Sequence, residues 1–112
     1  MGKPEGRTHP GLPVALTVLF TQAARAEATE AQRWYEARAA GLGGRFRSQL
    51  DAAVQRIANN PLQYRVVFSV DVRRVLVRSF PHSLFFRVDL EAVVVIACFH
   101  ASRDPIQWQR RV

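Results

Sequence analysis

Hydrophobic spacing changes period along the chain, and each change marks an element. Val14 to Phe20 is a short run of apolar, partly β-branched residues, read as a first strand. From about Ala23 to Ala40 the period lengthens: Ala24, Ala28, Ala31, Tyr35 and Ala39 recur at spacings of three or four and define one helical stripe. Thr21 is the expected N-cap. Gly41-Leu42-Gly43-Gly44 should interrupt the helical run, since three glycines in four positions weaken a helix. A second helix is expected from about Arg45 to Ala58, with Phe46, Leu50, Ala53, Val54 and Ile57 on its apolar face, ended by Asn60-Pro61. The short connection makes the two helices an antiparallel hairpin.

Beyond residue 70 the period falls to two. Val75 and Val77, then Leu84, Phe86 and Val88, then Val93, Val95, Ala97 and Phe99 form three all-apolar sets at alternate positions. Alternate residues of a strand share a face, so these sets should lie under the helices. The complementary positions are mixed: Arg74, Leu76 and Arg78; Phe85, Arg87 and Asp89; Val94, Ile96, Cys98 and His100. Turns at Pro81-His82-Ser83 and Leu90-Glu91 join the three strands into an antiparallel meander. The fold expected is α+β, in the order β-α-α-β-β-β, with the helical hairpin packed on one face of a small, mainly antiparallel four-stranded sheet. Periodicity does not say where the first strand joins. Residues 1–13, rich in glycine and proline, read as a flexible arm before a single domain over residues 14–112.

Charge changes the picture more than composition does. The chain carries a net +7 with a pI near 11.2, and fifteen of its sixteen basic residues are arginine, Lys3 being the exception. Guanidinium groups suit bidentate pairing with phosphate or carboxylate, so a nucleic acid or an acidic polypeptide is the natural partner; the bland alternative is a solvated basic surface. If the parity holds, Arg74, Arg78 and Arg87 share a face with exposed apolar residues, which suits a binding surface. The plainer reading pairs Arg87 with Asp89. Cys98 is the only cysteine and lies in an apolar strand, which favours packing over disulfide or zinc chemistry and points to the cytoplasm. No apolar run reaches the ~20 residues of a membrane span, and the N-terminal residues make a poor signal peptide.

Candidate chemistry is sparse. His100 follows the last strand and Arg103 lies in the next turn; a histidine there could move a proton on an RNA 2′-hydroxyl while an arginine stabilises phosphorane charge. Alternatively His100 bonds to backbone and Arg103 pairs with Asp104 or Glu36. His82 reads as a structural turn residue, and three scattered histidines give no metal-ligand spacing. Trp34, Tyr35 and Trp108 are expected in the core, with the C-terminal segment folding back on the helical hairpin. The sequence holds no glycine-rich phosphate loop, serine nucleophile motif or paired carboxylates.

Between about Val14 and Arg110 the chain resembles the RelE/ParE superfamily of toxins from bacterial type II toxin–antitoxin modules. The resemblance rests on Trp34-Tyr35-Glu36 before Gly41-Leu42-Gly43, then Asn60-Pro61, Arg73-Arg74, Phe80-Pro81-His82 and His100-Ala101-Ser102-Arg103-Asp104-Pro105. It implies a cognate antitoxin whose acidic segment wraps the basic toxin in a hetero-oligomer, with no cofactor, metal or membrane involved. RelE-like members cut mRNA in the ribosomal A site with basic residues on two strands, an arginine after the last strand and a C-terminal tyrosine. Arg74 and Arg103 match two of those roles, but Ser83 opens its strand and no tyrosine follows Tyr64. The Phe-Pro-His turn and Arg-Asp-Pro tail look closer to ParE-like members, which bind DNA gyrase. The resemblance thus implies target- or antitoxin-binding by Arg73, Arg74, Arg78, Arg87, Arg103 and Trp108. The alternative is a ribosome-dependent mRNA endonuclease using Arg74, Arg87, His100 and Arg103.

Overall fold

The computed structural model describes residues 15–112, so the expected arm over residues 1–13 lies outside the described residues. The elements follow as β1 (Thr17–Phe20), α1 (Gln22–Arg38), α2 (Leu42–Asn59), a 3-10 turn (Pro61–Gln63), β2 (Val66–Phe68), β3 (Val72–Val77), β4 (His82–Val88), β5 (Ala92–His100) and α3 (Ile106–Gln109). The five strands form one sheet in the order β1-β5-β4-β3-β2. β1 runs parallel to β5, pairing Thr17 with Ala92 and Phe20 with Val95, and the other neighbours are antiparallel. The expected α+β architecture stands, with one strand more than periodicity gave. β2 is three half-exposed residues ahead of a turn, too short for a period of two to register.

The step from β1 into α1 is made by Thr21, whose side chain accepts a hydrogen bond from Ala24 N at 3.1 Å. The hairpin turn differs from expectation. Only Gly41, at φ +87°, needs glycine for its backbone; α2 starts at Leu42, and Gly43 and Gly44 lie inside it. Gly43 is there for closeness, because a Cβ on it would sit 2.7 Å from the Gln32 carbonyl oxygen of α1. Gly41 offers no side-chain cap, and the Glu36 carboxylate takes that role by accepting Gly41 N at 3.0 Å and Gly43 N at 2.9 Å. Packing between the helices thus overrides the low helix propensity of glycine.

The main core lies between the hairpin and the sheet: Ala24, Ala28 and Tyr35 from α1, Phe46, Leu50, Ala53 and Ile57 from α2, and Val75, Val77, Leu84, Phe86, Val93 and Val95 from the strands. The predicted parity holds on β3, β4 and the first half of β5. It fails after Val95. Phe86 pairs with Val95 but Phe85 pairs with Ala97, so Ile96 is an extra residue, a β-bulge. Beyond it the two faces exchange, as a one-residue slip requires. Cys98 and His100 face the helices, opposite Leu84 and His82, while Ala97 and Phe99 turn to the other side.

That other side carries a second cluster of Val72, Ile96, Ala97, Phe99 and Trp108. Trp108 stacks on Phe85 with centroids 4.1 Å apart and meets Phe68 edge-on. The expectation that Trp108 is core is right, but α3 covers the sheet face away from the hairpin. Arg111, beyond α3, reaches α1, pairing with Glu27 at 2.6 Å, and also donates to the Ile96 carbonyl at 2.8 Å. Glu27 also accepts Cys98 N at 3.0 Å. Together Glu27 and Arg111 supply the acceptor and donor that a neighbouring strand would give β5 where β1 has ended. Trp34, expected in the core, is 51% exposed under the guanidinium of Arg38.

Candidate functional site

Two concave regions carry some of the residues that the sequence singled out: Arg74 and Arg78 in one, His100 and Arg103 in the other. The first is a groove of about 450 Å³ along the outer edge of β3. Among the described residues β2 pairs with β3 only at Val72 and Arg73, and no described strand pairs with Val75 to Val77 on that side. Arg74, Leu76 and Arg78 reach the groove from the β3 segment. Arg56 comes over from α2, donating from Nη2 to the Leu76 carbonyl at 2.8 Å, and Arg65 comes from the segment before β2. Four guanidinium groups therefore surround Leu76, which is 58% exposed, and Val67. Among the described residues no acidic side chain lines the groove.

The second region is a cleft of about 420 Å³ between α1 and the far end of β5, created by the bulge. Its floor holds Tyr35, His82 and Cys98, and its rim Glu30, Trp34, His100 and Arg103. Tyr35 Oη and His82 Nδ1 lie 3.2 Å apart in a buried hydrogen bond, and the two imidazoles meet edge to face at 5.2 Å. Burial lowers the His82 pKa to about 4, helped by His100 and Arg103 nearby, so His82 is neutral at neutral pH. Burial, seconded by Cys98, raises Tyr35, and its hydroxyl stays protonated. Burial, followed by the charge of Glu27, pushes the Cys98 thiol up to about 12, far from the thiolate that nucleophilic chemistry requires. His100 Nδ1 accepts Ser102 N at 2.9 Å, which fixes the ring proton on Nε2 of the neutral imidazole. The cleft can bind through hydrogen bonds, but His82 cannot supply a proton near pH 7.

The predicted site residues do not converge. Arg74 and Arg78 meet in the edge groove. Arg73 lies on the opposite face of its strand and donates to the Tyr64 carbonyl. Arg87 pairs with Asp71 at 3.1 Å, across the β2–β3 turn, instead of with Asp89. Arg103 lies over the Phe99 ring at 4.2 Å and bonds Gln107, pairing with neither Asp104 nor Glu36. His100 faces the helices and so stands apart from Arg74 and Arg87, contrary to the shared face expected from parity. Trp108 is 2% exposed. Sequence reasoning missed Arg56 and Arg65, which only tertiary packing brings beside Arg74. It also set aside His82, which a bulge unseen in the periodicity places against His100. Among the described residues no cluster of histidine, cysteine and carboxylate side chains could hold a metal ion, and no helix is long and apolar enough to cross a membrane.

Comparison with known proteins gives this geometry a context. The sequence profile of a family described as ParE toxin of type II toxin-antitoxin system, parDE, matches residues 18–105. No curated protein sequence gives a significant match. Among solved structures the chain is similar to one from the chromosomal ParDE TA system of P. aeruginosa, at 16% identity and TM-score 0.65, covering 77% of this chain and 96% of that one. It is similar to E. coli toxin RelE in the free state, solved as an arginine-to-alanine mutant, at 19% identity and TM-score 0.62, covering 88% and 99%. A chain of the toxin-antitoxin complex RelBE2 from Mycobacterium tuberculosis follows at 20% identity and TM-score 0.55, covering 78% and 92%. At these identities the likeness is one of fold.

Proposed function

The chain belongs to the ParE toxin family of type II toxin–antitoxin systems, and on that premise we propose that it arrests growth by binding DNA gyrase in the cytoplasm and is held in check by a cognate acidic antitoxin. The family match across residues 18–105 carries the toxin role. The antitoxin follows from the solved relatives, two of which come from toxin–antitoxin systems, and from a net charge of +7 that an acidic partner would neutralise.

The choice of a docking mechanism over catalysis is supported by how the candidate residues are used. Ribonuclease chemistry on a 2′-hydroxyl needs a proton acceptor, a proton donor and a cation around one phosphate. Arg87 is tied to Asp71, Arg103 to Gln107 and Phe99, and His82 is kept neutral by burial. His100 and Arg74 sit in different concave regions. What remains exposed is an arginine-rich surface with apolar residues between the charges, which suits a protein partner.

The test is induction in a bacterial host with and without the antitoxin, following the SOS response and mRNA integrity together. Growth arrest with SOS induction, intact mRNA and rescue by antitoxin is expected, and His100→Ala and Arg103→Ala should leave the arrest in place. Cleavage at ribosome-occupied codons that either substitution abolishes would replace this reading with the endonuclease.

A further inference from the structure

We propose that the cleft between α1 and the end of β5 is a small-molecule site that takes the carboxylate of a flat aromatic acid. The inference stands apart from gyrase binding and draws on neither the arginine groove nor the family match.

The β-bulge makes the space. It puts Cys98 and His100 on the helix side in place of Ala97 and Phe99. Ala31 stands on α1 across the gap, and with two side chains as small as Ala31 and Cys98 about 420 Å³ stays open between the elements. That volume suits a small ring compound. Trp34, 51% exposed, borders the opening and supplies aromatic surface for such a ring.

Unmatched donors gather on one wall. His82 and His100 are cross-strand partners at the end of the sheet. In the buried bond between Tyr35 Oη and His82 Nδ1 the hydroxyl donates, because the reverse would leave its proton without an acceptor among the described residues. His82 therefore carries its own proton on Nε2. That N–H has no partner among the described residues, although the side chain is only 8% exposed. Trp108 Nε1 is the one fully enclosed unpaired side-chain polar atom among the described residues, so His82 Nε2 meets the open space of the cleft. His100 brings a second Nε2–H, since its Nδ1 accepts Ser102 N. Arg103 borders the same wall, with one N–H tied to Gln107.

Two imidazole N–H groups and a guanidinium call for an anion with more than one oxygen, held by charge-assisted hydrogen bonds. The opposite wall selects among anions. Glu27 and Glu30 stand there on α1. Glu27 is tied to Arg111 and the Cys98 amide, whereas Glu30 makes no ion pair among the described residues. Their charge opposes a phosphate dianion or a nucleic-acid strand more strongly than it opposes one carboxylate. The carboxylate thus lies against the histidines and Arg103, and the ring along Ala31 and Trp34.

The experiment titrates the full chain with naphthoate, and with naphthamide and naphthyl phosphate as the same ring on a neutral and a dianionic group. Calorimetry gives affinities, and NMR of the histidine rings gives the location. Naphthoate should bind about tenfold more tightly than either comparison and shift the His82 and His100 ring signals. His100→Ala and Arg103→Ala should each weaken it by about tenfold, with circular dichroism confirming that both variants fold. Bound carboxylate should also raise the His82 pKa from about 4 by roughly one unit, because a nearby negative charge favours the imidazolium. Glu27, Glu30 and Tyr35 on α1 and Cys98, His100 and Arg103 across from them are present with and without ligand, so the difference reads the carboxylate. Equal affinity for naphthoate and naphthamide would mean ring burial alone and would overturn the proposal, as would tighter binding of naphthyl phosphate. Absence of naphthoate binding, affinity that both substitutions leave intact, or an unmoved His82 pKa would overturn it equally.

Discussion

Two adjacent glycines in α2 should respond to alanine with opposite signs. In a helix, alanine is favoured over glycine by up to about 1 kcal/mol, because glycine loses more backbone freedom on folding. At Gly44 nothing lies within 4 Å of the added Cβ, so Gly44→Ala should stabilise the protein by about 0.5 kcal/mol, the reduced gain of a first turn. At Gly43 the same Cβ would meet the Gln32 carbonyl oxygen at 2.7 Å and Glu36 Cβ and Oε1 at 2.9 Å. The Gln32 oxygen is backbone and cannot rotate away, so the helices must separate, at a cost of about 1–3 kcal/mol for overpacking. Displacing Glu36 also weakens its bonds to Gly41 N and Gly43 N, which cap α2, for about 1 kcal/mol more. Gly43→Ala should therefore destabilise by about 2 kcal/mol net. Urea titrations of the three proteins, read at the helical circular dichroism band, measure both. For a domain of this size ~1 kcal/mol moves Tm by about 4–8 °C, so the two variants should separate clearly. If Gly43→Ala proves as stable as Gly44→Ala, the close crossing of α1 and α2 is wrong.

Other outcomes follow from the cleft and the second core. With its pKa lowered from 6.5 to about 4, His82 binds a proton more readily unfolded than folded. Its contribution to stability is complete above pH 6.5 and declines toward pH 4, on the order of 3 kcal/mol at most; His82→Gln should flatten that slope in urea midpoints, and parallel curves would contradict the assignment. Trp108→Ala should cost about 3–5 kcal/mol, as it empties the cluster against Phe85, whereas exposed Trp34→Ala should cost under about 1 kcal/mol. Chemical melts of the two variants test that ranking, and equal losses would refute it. Cys98, buried and held near pKa 12, should react with a thiol reagent at pH 8 only as fast as the chain unfolds.

Much of the architecture was legible from periodicity, because the helix faces and the β3 and β4 alternation each report burial directly. Phe46, Leu50, Ala53 and Ile57 are buried as their spacing required, and Thr21 caps α1 as its position suggested. The misplaced half of β5 has a specific cause. Val93 to Phe99 is apolar at every position, so nothing in the pattern marks Ile96 as the residue that slips the register. That slip moved Cys98 and His100 to the helix side and made the cleft. The glycine run misled because propensity describes an isolated helix, whereas Gly43 is set by its neighbour Gln32. The site was less legible than the fold. Arginines at 56, 65, 74 and 78 come from separate segments, and only the way α2 and the pre-β2 segment lie beside β3 brings them together.

The central claim is that this toxin acts by binding gyrase, and the most direct measurement is supercoiling of relaxed plasmid by purified DNA gyrase in the presence of the purified chain. Dose-dependent loss of supercoiling is predicted, with unchanged inhibition by the His100→Ala and Arg103→Ala variants. Gyrase left fully active, while the same preparation cuts mRNA on programmed ribosomes, would contradict it.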